Sequence, residues 1–186
     1  MAKDIEKYND DELYYMLSSD KKSAEKAFAE LYARYSSRVY AYCRRFLGNK
    51  EDAQDVFQET FVRFLDSTKQ ERLMTNVPAF LLKIARNLCV NLKRKQLNPV
   101  SFEDYMVVND SNNDSNELLG LITTAMEVLP DEYKDMFILR EYDGLSYKEI
   151  SDLANVPLST VKIRIFRAKQ KIREILAPYL KELERF

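Results

Sequence analysis

The stretch SYKEISDLANVPLSTVKIRIFRAKQK, residues 146–171, decides how the chain folds. It opens on a capping box, with Glu149 placed to reach back to the backbone amide of Ser146. Ile150, Leu153 and Ala154 give the following short helix one apolar face. Asn155-Val156-Pro157 reads as a turn, and a long helix is predicted from about Leu158. At about 100° per residue, Val161, Ile165, Ala168 and Ile172 fall on one side of that helix and must be core. Ser159, Thr160, Ile163, Arg167, Gln170 and Lys171 fall opposite, flanked by Lys162, Arg164 and Phe166. Two helices joined by a tight turn, the second one basic, make a helix-turn-helix. A basic helix alone is more often only a solvated face. Here the Gly144 break, the capping box and the turn stand at the spacing that a groove-reading helix needs. Arginine can take guanine bidentately, apolar side chains can meet a thymine methyl, and flanking cations can hold phosphates.

Upstream of this motif the pattern is again helical. Leu118, Leu119, Ile122 and Met126 mark one helix; Tyr133, Met136, Phe137 and Arg140 mark the next, which can begin at Pro130. In the first half, Phe28, Leu31, Tyr35, Val39, Tyr42 and Phe46 recur at helical spacing up to Gly48, which is placed to end the helix. Asn49 can cap a second helix with the stripe Ala53, Val56, Phe57, Thr60, Phe61 and Phe64. After a polar loop, Ser67 to Asn76, Pro78 opens a third with Leu81, Ile84, Ala85, Leu88 and Leu92 on one face. A shorter helix around Asp10–Leu17 precedes these.

Bulk composition agrees. The 186 residues are 46% hydrophobic and 32% charged, a globular balance, and only three glycines and five prolines favour helices over a turn-rich sandwich. The fold class expected is all-α: two small helical domains joined by a flexible acidic linker. Cys43 and Cys89 are read as reduced core residues. No secretory or membrane-spanning segment is seen, so a cytoplasmic location without membrane insertion is expected.

A net charge of −1 argues mildly against nucleic acid, but its distribution argues the other way. Lys83, Arg86, Lys93, Arg94 and Lys95 lie in a segment without one acidic residue, 78–95. Lys162, Arg164, Arg167, Lys169, Lys171 and Arg173 form a second cluster. Between Gln96 and Val128 every charged residue is acidic, and the run 109–115 is rich in asparagine, aspartate and serine, which is linker chemistry. Phe80 beside the first cluster could offer a stacking platform to unpaired bases, although an aromatic near a helix start is more often core.

At this point the chain resembles a known family, the extracytoplasmic-function sigma factors of the sigma-70 superfamily. Asp52-Ala53-Gln54-Asp55-Val56-Phe57-Gln58-Glu59-Thr60-Phe61 is similar to the family's region 2.2, which docks on the clamp helices of the polymerase beta-prime subunit. Pro78 to Leu88, followed by Lys93-Arg94-Lys95, resembles regions 2.3 and 2.4; Leu129 to Ile175 resembles region 4, with Ser159-Thr160-Val161-Lys162 at the start of its recognition helix. The resemblance implies three segments: region 2 over 1–95, a linker over 96–116 and region 4 over 117–186.

It further implies that Asp52, Asp55, Gln58 and Glu59 bind polymerase, and that Asn76, Phe80, Lys83, Arg86, Asn87, Lys93 and Arg94 serve the −10 element. Ser159, Thr160, Lys162, Ile163, Arg164, Phe166, Arg167 and Lys171 would contact the −35 element. The loop from about Lys69 to Asn76 would capture an unpaired base, and the connector would thread toward the RNA exit channel. Bacterial core polymerase (clamp helices and beta flap), promoter DNA and an anti-sigma factor are the partners implied; no cofactor or metal is. The chain departs from the usual pattern in having no tryptophan, with Phe80 in its place, and in Ile163 and Asn91.

Two other readings compete. A stand-alone helix-turn-helix regulator fits the second lobe and leaves the basic third helix and acidic connector unexplained. An enzyme finds little support: there is no histidine, no glycine-rich phosphate loop and no metal-ligand cluster. Asp52, Asp55 and Glu59 share a helix face, but three carboxylates on one exposed helix are more often solvated.

Overall fold

A computed structural model describes residues 5–68, 76–97 and 117–183. The expected base-capturing loop, apart from Asn76, and the acidic connector from residue 98 onward lie outside the described residues. Among the described residues all regular structure is helical: α1 Asp10–Met16, α2 Lys21–Leu47, α3 Lys50–Ser67, α4 Val77–Leu97, α5 Glu117–Glu127, α6 Asp131–Glu141, α7 Tyr147–Ala154 and α8 Leu158–Leu183, after a short 3₁₀ turn at Ile5–Lys7. The chain divides into two compact units, residues 1–95 and 96–186.

In the first unit the helix ends follow from local chemistry. The Asp20 carboxylate accepts from the Lys22 and Ser23 amides and starts α2. Gly48, at φ +77°, ends it with its amide on the Arg44 carbonyl. One residue later Asn49 accepts from the amides of Glu51 and Asp52 and starts α3. Leu31, Val39, Tyr42, Cys43 and Phe46 of α2, Ala53, Thr60, Phe61 and Phe64 of α3, and Leu81, Leu82, Ala85 and Cys89 of α4 are buried. The buried Thr60 hydroxyl is satisfied within its own helix by the Val56 carbonyl, 2.7 Å away. Phe64 joins three elements, its ring centroid lying 5.7 Å from Tyr14 of α1 and 6.2 Å from Phe80 of α4.

The α1 helix is tied to α2 by polar contacts. Arg34 donates to Glu30 (2.8 Å), to Asp10 (2.9 Å) and to the Glu6 carbonyl (3.0 Å), and Tyr35 donates to Asp10. Tyr35, expected on the apolar stripe, is therefore only half-buried, with its hydroxyl in use. Burial, then the hydrogen bond to Asp10 and that carboxylate's charge, push its phenol up to about 12. A phenol whose pKa is raised by folding stabilises the fold below its unfolded value of 10.0 and loses that contribution as pH rises through about 12. In a spectrophotometric titration, the phenolate signal missing from Tyr35→Phe should appear near pH 12. A missing component near pH 10 would contradict the contact.

In the second unit α6 is the central helix. It packs on α7 and α8, and Lys134, Asp135, Met136, Phe137, Ile138 and Leu139 are all buried. Gly144, at φ +69°, turns the chain out of α6, and the Leu145 amide returns to the Leu139 carbonyl at 3.1 Å. Arg140 donates to the Leu145 carbonyl (2.8 Å) and lies 4.8 Å over the Tyr147 ring. The capping box at α7 forms in both directions: the Glu149 amide donates to Ser146 Oγ (3.2 Å) and the Ser146 amide to Glu149 Oε2 (2.7 Å). Asn155 ends α7 in the left-handed conformation, φ +54°, and α8 begins three residues later. Val161, Ile165, Ala168 and Ile172 face inward, as their spacing predicts. Among the described residues no helix is long and apolar enough to cross a membrane.

Candidate nucleic-acid interface

The outward side of α8 carries Ser159, Ile163 and Arg167 in one exposed row, with Gln170 continuing it and donating to Glu174 (3.1 Å). Phe166 stands on one shoulder, two-thirds exposed (67%), and Ile163 is 51% exposed. Apolar residues scattered singly on a surface are ordinary, but Ile163 and Phe166, three residues apart, are neighbours on one exposed helix face and form an apolar pair. Lys162 is exposed beside Phe166; Thr160 is half-buried on the opposite shoulder, and Lys171 is exposed one turn beyond Arg167. Leu158, at the helix start, is partly exposed but falls on the same side as buried Ile165 and does not join this face.

Two of the arginines are not free-standing. Arg164 Nη2 donates to Glu132 Oε2 at 2.5 Å, and Arg167 Nη1 donates to the Tyr133 phenol oxygen at 3.1 Å. Lys169 pairs with Glu141 at 2.8 Å. The Tyr133 hydrogen bond, assisted by nearby Glu132, holds the Arg167 guanidinium in its charged form more firmly than usual. Glu132 and Tyr133 were missed because partners more than thirty residues apart leave no periodic signal.

On α4, Lys83, Asn87, Val90, Asn91 and Arg94 form one exposed stripe, with Arg86 and Lys93 half-buried beside it. Arg94 donates to Asn91 at 3.3 Å. Asn76 caps the helix, its side-chain oxygen accepting from the Ala79 amide (3.0 Å). Phe80 is half-buried: it leans on Phe64 yet keeps an exposed edge beside the stripe. On α3, Asp55 and Gln58 are exposed, Asp52 is half-buried, and Glu59 is paired with Arg63 at 2.6 Å. Among the described residues no cluster of histidine, cysteine or carboxylates could hold a metal ion.

A helix-turn-helix with a mixed polar and apolar exposed face, accompanied by a second helical unit with a cationic helix, is an architecture found among nucleic-acid-binding proteins. Two family models match the chain: sigma-70 region 2 over residues 31–97 and sigma-70 region 4 over residues 119–172. The chain is 30% identical over 173 residues to the ECF RNA polymerase sigma factor SigW of Bacillus subtilis, covering 84% of this chain and 92% of that protein. It is also 30% identical over 176 residues to the ECF RNA polymerase sigma-E factor of Escherichia coli, covering 86% and 92%. The sigma factor RpoE of Bartonella quintana, solved in complex with the anti-sigma factor NepR, superposes with a TM-score of 0.69 at 21% identity over 82% of this chain and 98% of that one, which shows the shared fold. The chain belongs to the extracytoplasmic-function RNA polymerase sigma factors, and it is a transcription initiation factor that directs promoter-specific initiation.

Proposed function

We propose that α8 reads the −35 element as duplex, that α4 with Asn76 and Phe80 recognises and melts the −10 element, and that the acidic face of α3 docks on the beta-prime clamp helices of core polymerase. Residues 1–95 are then region 2, 96–116 the linker and 117–186 region 4, with the last unit reaching toward the beta flap. The observation that carries this reading is the row Ser159, Ile163 and Arg167 with exposed Phe166 beside it, since two adjoining apolar side chains flanked by cations on one helix face suit a groove with thymine methyls and phosphates. Ile163 and Phe166 suit thymine methyls, Arg167 suits a guanine edge, and Lys162 and Lys171 suit phosphates. The α4 stripe adds cations around a partly exposed ring, which fits strand-separated bases. With a net charge of −1 the chain binds promoter DNA poorly alone; docking on polymerase converts two weak contacts into one avid one. The B. quintana relative is solved with an anti-sigma factor, and a partner of that class suits this chain too.

Photocrosslinking tests the assignment of faces. In holoenzyme, benzoylphenylalanine replacing Phe166 should crosslink to duplex around −35, and the same group replacing Asn87 should crosslink near −10. Exchange of the two patterns, or crosslinks to polymerase alone, would overturn it. The docking face is tested by Asp55→Lys combined with Glu59→Lys, which should weaken core binding at least about tenfold by placing like charges against basic helices. Unchanged affinity would remove α3 as the docking surface.

A further inference from the structure

We infer that Tyr133 and Glu132, in the first turn of α6, are positioning residues for promoter reading: Tyr133 fixes the orientation of the base-reading Arg167, and Glu132 takes the charge of Arg164 off the DNA-facing side. This rests on the reading of α8 as the −35 helix and extends it to a helix that does not enter the groove.

The geometry is specific. The adjacent residues Glu132 and Tyr133 engage two α8 arginines one turn apart, at 2.5 and 3.1 Å. They can do so because α6 is held by the burial of the six residues from Lys134 to Leu139, which gives both side chains a fixed base. An arginine side chain on an exposed helix face otherwise samples many rotamers, and ordering it on binding costs affinity and sharpness. The phenol oxygen occupies one of the five guanidinium donors and leaves the remainder to take a base edge. Arg164 differs: its side chain is only 24% exposed and its charge is matched by a carboxylate, so it contributes little to counterion release. The two contacts together favour sequence reading over charge-driven binding.

The test uses holoenzyme and a set of promoters carrying every base pair at each −35 position. Tyr133→Phe keeps the ring and removes only the acceptor. It should lower discrimination at one base pair roughly two- to tenfold, the cost of one unrestrained side chain, with little change elsewhere. Added to Arg167→Ala, it should lower discrimination no further. Glu132→Gln should steepen the dependence of log affinity on log salt by about 0.9, one phosphate contact more. An unchanged base profile in Tyr133→Phe, or an equal loss on all promoters, would overturn the positioning role of Tyr133. An unchanged salt slope would overturn that of Glu132. If Arg167→Ala itself left the profile unchanged, the assignment of α8 would fall first, so the two failures are distinguishable.

Discussion

Arg167→Ala is expected to lower holoenzyme occupancy of a cognate promoter roughly 5- to 150-fold, the loss of one bidentate base contact, and to flatten preference at a single −35 position. Arg167 is exposed in the middle of the outward row of α8, between Ile163 and Gln170, so removing it disturbs no buried contact. The expected loss is therefore in recognition and not in folding. Lys162→Ala and Lys171→Ala provide the contrast, since a phosphate contact weakens every sequence alike and leaves the profile intact. Occupancy measured by titration on promoters differing at one −35 position separates the two behaviours. An equal loss for Arg167→Ala on every sequence would make it a phosphate contact.

Phe64→Ala is expected to cost roughly 3–5 kcal/mol, the range for emptying a buried aromatic site. Phe64 is fully buried and its ring meets Tyr14 from α1 and Phe80 from α4, so the cavity opens where three helices meet. Set against a whole-domain stability of about 5–15 kcal/mol, that loss is a large fraction, and towards the low end of the range it leaves unfolded forms populated. The functional consequence follows from Phe80: with its support gone, the start of α4 no longer presents its ring and cations in one arrangement. Hydrogen exchange of the slowest α3 amides, measured across a urea series, reads the loss directly. A change below about 1 kcal/mol would show that the site collapses and refills.

Helix ends were the most legible part of the fold, because capping chemistry acts over three or four residues. Ser146 with Glu149, Gly48 and Asn49 each do in the structure what their spacing predicts. The Asn9–Glu12 box that starts α1 carries the same signal. The inward face of α8 was equally legible, since one wet side and one dry side give a clear 3.6-residue period. The same rule misleads on α6. Its middle, from Lys134 to Leu139, is buried on every side and has no polar side to count from, so nothing in the sequence signals that Lys134 and Asp135 are only 5% and 2% exposed. Within the site, sequence placed Arg164 and Arg167 on the long basic helix α8 but could not show that Glu132 and Tyr133 hold them. It could not decide Phe80 either, whose ring is both core, against Phe64, and rim, beside Lys83 and Asn87.

Whether this chain directs polymerase to promoters by reading two separated elements is decided by run-off transcription from sheared genomic DNA of the source organism. Purified bacterial core polymerase is assayed with and without the protein. New transcripts are expected whose start sites share two upstream motifs at a fixed spacing, the distal one altered in preference by Arg167→Ala. No new starts, together with failure of the protein to co-migrate with core polymerase, would contradict that reading.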